Sequence, residues 1–114
     1  MAVKKILKAI PLKTLDSATG ISGNYAAINV GGLPNACTIL KITNDSTKSV
    51  TISYDGVNDH EYVALNSILL LNAQSNAQPS GMASLFPVGL TVWAKGTAGV
   101  GTIALSGYYN PREV

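Results

Sequence analysis

From residue 36 onward the sequence is cut into short runs by turn-forming residues, and no longer stretch carries a helical period. Residues 49–54 alternate cleanly, with Val50, Ile52 and Tyr54 on one face and Ser49, Thr51 and Ser53 on the other, as a strand with one wet face requires. Residues 38–43 are more apolar and read as an interior strand, and the polar NDSTKS that follows reads as a turn, giving a first hairpin. Residues 61–65 and 68–72 form a second pair about Asn66 and Ser67, in which ILLL suggests a strand buried on both faces. QSNAQPSGMA, residues 74–83, is a loop by composition. Residues 90–95 and 101–109 make the last hairpin across GTAGVG. Strands with turn signals at roughly 8–12-residue spacing predict an all-β, antiparallel β-sandwich, with jelly-roll connections as one option.

The first 35 residues leave two forms open. Val3, Ile6, Leu7 and Ile10 fit one face of a helix, with Lys4, Lys5 and Lys8 opposite, yet Pro11 closes the run early. The alternative is a strand added to a neighbouring sheet. Either way residues 1–13 are expected to be an N-terminal arm that docks on a neighbour. Residues 16–35 read as a Gly/Ser/Asn-rich loop enclosing a short strand at 25–30.

At 114 residues the chain is one domain, residues 1–114, large enough to bury a core without disulfides. The single Cys37, inside the apolar run ACTIL, reads as a small buried hydrophobe. Charged residues make up 12% of the chain, about half the share of an ordinary soluble domain, and Ser, Thr, Asn and Gly stand in their place. So weakly charged a surface suggests coverage by partners, hence an assembly component and a homo-oligomer. A net charge of +2 with scattered basic residues gives no stripe for nucleic acid. No run approaches the roughly 18 apolar residues that span a membrane, and MAVKKILKAIPLK is too interrupted for a signal peptide. Synthesis in the cytoplasm is expected.

The most chemically crowded stretch is ISYDGVNDHEYV, which holds the only histidine, His60, beside Asp55, Asp59 and Glu61. The calcium-loop spacing fails, because Gly56 follows Asp55 at once. One histidine and a distant cysteine fall short of a zinc site, so no metal ligand is assigned. His60 could be a general base, but no serine or cysteine lies in a nucleophile context. Asp59 and Glu61 as a glycosidase pair would project from one side of a strand with no cleft in prospect. KGTAGVG lacks the lysine and helix of a phosphate loop. No catalytic residue and no cofactor are therefore expected, and the stretch reads as strand, polar loop and strand. Trp93 is expected as a core or interface anchor. Alternation turns one of Tyr108 and Tyr109 inward and the other outward as a contact residue.

The block ACTILKITNDSTKSVTISYDGVNDHEYV, continuing to QSNAQPSGMASLFPVGLTVWAKGTAGVGTIALSGYYNP, resembles small virion structural proteins of tailed bacteriophages. The resemblance covers residues 36–110. It implies a non-enzymatic protein located in the virion, built in by repeated contacts with the major capsid protein or other virion neighbours. A capsid cement or decoration subunit is the first expectation, and a head-tail connector or tail component the second. Lys4, Lys5, Lys8, His60, Trp93, Tyr108 and Tyr109 are the candidate contact residues. A carbohydrate-binding β-sandwich is the more distant rival, with His60, Asp59, Glu61, Trp93 and Tyr108 as its residues.

Overall fold

The computed structural model describes residues 7–72 and 86–109. Lys4, Lys5 and the expected loop at 74–83 lie outside the described residues. The elements run β1 (Lys8–Ala9), β2 (Lys13–Asp16), α1 (Ser17–Gly20), β3 (Ala26–Ala27), β4 (Ile39–Ser46), β5 (Val50–Ser53), β6 (Glu61–Val63), β7 (Ser67–Asn72), β8 (Trp93–Gly96) and β9 (Gly101–Tyr109). They build two packed antiparallel sheets. In sheet A, β9 lies between β4 and the pieces β1 and β2, and β7 forms the far edge; sheet B has the order β3-β8-β5-β6. β1 and β2 flank the same side of β9, interrupted at Pro11, which has no N–H to donate. Counted as one strand, they complete the four-plus-four order of an eight-stranded jelly roll.

Alternation fills the space between the sheets. Leu40 and Ile42 from β4 and Ile103 and Leu105 from β9 meet Val50, Ile52, Val63 and Ala94 from sheet B, all buried. Ile10, Ile21, Ile28, Leu33 and Val92 extend this core, and so does Cys37, whose thiol burial pushes its pKa up. Buried amides tie the crossing points. Asn29 donates Nδ2–H to the Leu90 carbonyl (3.0 Å) and accepts the Val92 N–H at Oδ1 (2.8 Å). Asn44 Nδ2 donates to the Lys48 and Val63 carbonyls at 2.9 and 3.1 Å, and Ser46 Oγ donates to Asn44 Oδ1 at 2.5 Å.

Five expectations need correction. The pair 38–43 and 49–54 is not a hairpin, because β4 lies in sheet A and β5 in sheet B. The same holds for β6 with β7 and for β8 with β9. The links at 47–49, 64–66 and 97–100 bridge two sheets instead, and about three extended residues span the roughly 10 Å between packed sheets. Nor is ILLL buried on both faces: β7 is the edge of sheet A, with Ile68 61% and Leu70 59% exposed. The interior placement of β4, between β9 and β7, agrees with its apolar sequence.

The fifth correction concerns the arm. Within residues 1–13, Lys8–Ala9 is strand rather than helix, paired with Tyr108 and Tyr109 of the chain's own β9. Ile10 is buried, and its N–H donates to the Gly107 carbonyl at 3.0 Å. From Lys8 onward this segment is therefore part of the sandwich and not a free anchor.

Candidate functional site

Among the described residues, β5 and β6 are the one pair of consecutive full strands that share a sheet, in the register Val50↔Val63, Thr51↔Tyr62, Ile52↔Glu61. The stretch ISYDGVNDHEYV is this hairpin, as its alternation requires. Asp55 organises the tip. Its Oδ1 accepts the Val57 N–H, the Asn58 N–H and the Ser53 hydroxyl, each at 2.8 Å, and its Oδ2 accepts Asn58 Nδ2–H at 2.9 Å. The Asn58 and Val57 amides, then the Asn58 and Ser53 side chains, hold the Asp55 carboxyl well below the usual carboxylate range. Ser53 Oγ also accepts the Asp55 and Gly56 N–H groups at 3.2 and 2.9 Å. Gly56 takes a φ of 77°, and a Cβ there would lie 3.1 Å from Trp93 Cε2, so the backbone rests directly on the indole.

Four contacts hold the exposed His60. Its N–H donates to the Ile52 carbonyl at 2.9 Å, and its Nδ1 accepts the Tyr54 N–H at 3.0 Å. Its ring stacks on Tyr54 with centroids 5.4 Å apart, and its Nε2 lies 3.9 Å from Asp55 Oδ2. With Nδ1 accepting, the neutral imidazole carries its proton on Nε2, toward the carboxylate. The lone pair that a general base would use is bound to a backbone amide. Tyr54 Oη donates to Glu61 Oε2 at 3.4 Å, and burial, reinforced by the Glu61 charge, pushes this phenol well above its ordinary pKa.

Asp59 has other partners. Tyr25 Oη and Lys95 Nζ both reach its Oδ1, the lysine at 2.9 Å, and the same ammonium sits 4.6 Å from the centre of the Tyr25 ring. The Tyr25 hydrogen bond, then that of Lys95, holds the Asp59 carboxyl down, while the bond to Asp59 raises the Lys95 pKa. Burial first, then Asp59, raises the Tyr25 phenol. Asp59 and Glu61, weighed as a carboxylate pair, are thus drawn to different groups.

Of the other candidate residues, Lys8 is exposed on β1. Trp93 lies outside the inter-sheet core, half-buried on the outer face of sheet B. By the alternation of β9, Tyr109 turns inward onto the core and Tyr108 outward beside Ile39. Trp93 and Lys95 of β8 share the outer face of sheet B with Thr51 and Tyr62, the latter 67% exposed. Tyr25 joins them over Lys95. Sequence reasoning missed Tyr25 as a partner of Asp59, because β3–β8 pairing alone brings the two segments together.

Among the described residues, no group of three or more His, Cys, Asp or Glu side chains could hold a metal ion. Nor is any helix among them long and apolar enough to cross a membrane. A shallow depression of about 200 Å³ lies on sheet A between Thr43, Asn44, Asp45, Asn66, Ser67 and Ile68, and takes in none of the side chains of the hairpin tip. No protein-family model, curated protein or solved structure matches the chain.

Proposed function

We propose that this protein is a structural component of a tailed-bacteriophage virion, specifically a capsid cement or decoration subunit that binds and stabilises the shell through protein contacts. The observation that carries this reading is the state of the hairpin tip. The side chains of Asp55, Asp59, His60 and Glu61 hold one another, Ser53, Tyr54, Tyr25 and Lys95 in place, so the one crowded cluster serves as architecture for a binding surface. The jelly-roll strand order supports the reading by analogy of fold, since that architecture recurs in viral capsid proteins, though a fold by itself does not define a function. The resemblance over residues 36–110 points the same way.

The test is the molar ratio of this chain to the major capsid protein in purified particles, by quantitative mass spectrometry. A ratio near one, or a simple fraction set by shell symmetry, is expected. A handful of copies per particle would favour the head-tail connector or tail alternative, and absence from particles would end the virion reading.

One observation favours a second reading. Tyr25, Trp93 and Tyr62 place three aromatic rings on one face of sheet B around Lys95, an arrangement suited to stacking on sugar rings. Glycan binding that disappears in Trp93→Ala, with the fold intact, would support a carbohydrate-binding role.

A further inference from the structure

Sheet A protects its two edges unequally. On one side β1 and β2 are short, broken at Pro11, and carry Lys8 and Lys13, the usual devices against unwanted pairing. On the other side β7, with the sequence SILLLN, has no lysine, proline or bulge. Its inner flank pairs with β4 over six positions, from Ile39↔Asn72 to Asn44↔Ser67, and no described strand pairs with the outer flank of residues 67–71. Because a strand points alternate N–H and C=O groups sideways, that flank presents backbone groups spaced for one more strand. Beside them Leu65, Ile68 and Leu70 are large, apolar and exposed. In sheet B the edge strands β3 and β6 are only 2 and 3 residues long.

We propose that β7 pairs antiparallel with β7 of a second copy, joining two A sheets into one continuous sheet about a two-fold axis. Charge selects this occupant. From Tyr62 to Ala94 the sequence has no Asp, Glu, Lys or Arg, so two copies of the strand meet without like-charge repulsion, whereas a charged peptide finds no counter-charge on the strand. Alternation makes the strand self-complementary. With Leu69 on the axis, Ile68 of each copy stands opposite Leu70 of the other, and two exposed apolar rows cover one another. The pairing is independent of the virion reading, since it forms in purified protein with no shell present.

Light scattering on the purified full chain, with Leu70→Lys alongside, tests it. The parent should run at twice 11.8 kDa, and the variant, whose changed side chain sits on an exposed face, should run at 11.8 kDa with an unchanged circular dichroism spectrum. Should Leu70→Lys misfold, Leu70→Thr keeps strand propensity and should show the same loss of mass. Hydrogen exchange at residues 67–72 should slow as protein concentration rises. A parent that stays monomeric overturns the proposal. So does a dimer that survives Leu70→Lys but is lost on deleting residues 1–6, which would give the association to the N-terminal segment.

Discussion

Replacing Asn44 by alanine should weaken the sandwich more than any comparably small change on its surface. Asn44 is fully buried on the inner side of β4, and its amide spans three parts of the chain. Nδ2 donates to the Lys48 carbonyl in the link between sheets and to the Val63 carbonyl in β6, and Oδ1 accepts the Ser46 hydroxyl. Asn44→Ala removes all three bonds; the Ser46 hydroxyl, freed from Oδ1, can turn to the Lys48 carbonyl 2.9 Å away, which leaves a net loss of two, but the Val63 carbonyl loses its amide donor. Two lost hydrogen bonds at about 1 kcal/mol each, plus the desolvation cost of a stranded buried carbonyl, give roughly 2–4 kcal/mol. For a domain of this size that corresponds to a fall in Tm of about 8–16 °C. Urea unfolding followed by the fluorescence of the single Trp93, with circular dichroism as a second probe, measures it. With a slope of about 1.5 kcal/mol per molar, the midpoint should drop by roughly 1.3–2.7 M. Asn44→Asp keeps the shape but turns both donors into acceptors and buries a charge, so it should cost at least as much. A loss below about 0.5 kcal/mol in Asn44→Ala would refute the view that this amide ties the sheets together.

Other outcomes follow from the same packing. Gly101 has a φ of 127°, and a Cβ there would stand 2.0 Å from the Asp45 carbonyl oxygen, so Gly101→Ala should give insoluble protein or a loss above about 3 kcal/mol in thermal melts. Ile10→Ala should cost about 2–4 kcal/mol, because the side chain packs in the core against Gly107; a negligible change would mean that this segment does not dock. The Asp55 carboxyl is held below its unfolded value, so its contribution is present above the ordinary carboxylate range and disappears as pH falls through the folded value. The Tm of the parent should therefore fall more steeply than that of Asp55→Asn in acid, and parallel curves would contradict the assigned role.

The hairpin ISYDGVNDHEYV was legible because everything that shapes it is local: alternation in β5, Gly56 for the positive φ, and side chains that bond within a few residues. Most strands from residue 36 onward, though not β2 before them, were legible for the same reason. Their partners were not, since a link of three polar residues suits a tight turn and a step between sheets equally well, and only the whole arrangement decides. ILLL shows a second limit: apolar character marks β7 as a strand, but its exposure depends on which strand stands beside it. The bonds of Asp59 to Tyr25 and Lys95, and the buried amides of Asn29 and Asn44, rest on contacts between distant segments and left no trace in hydropathy.

The central position of β9 sets a rule for how the molecule comes into being. Lys13 pairs with Leu105 and Asp16 with Thr102, while the other flank of the same strand holds β4 along its full length. Closing so long a loop costs entropy before any contact repays it, and topologies rich in such pairings fold slowly. During synthesis, β1, β2 and β4 must wait without a shared partner until residues 101–109 have left the ribosome. A nascent chain stopped short of that strand can pair β4 only with β7, so sheet A is completed only when the last strand emerges.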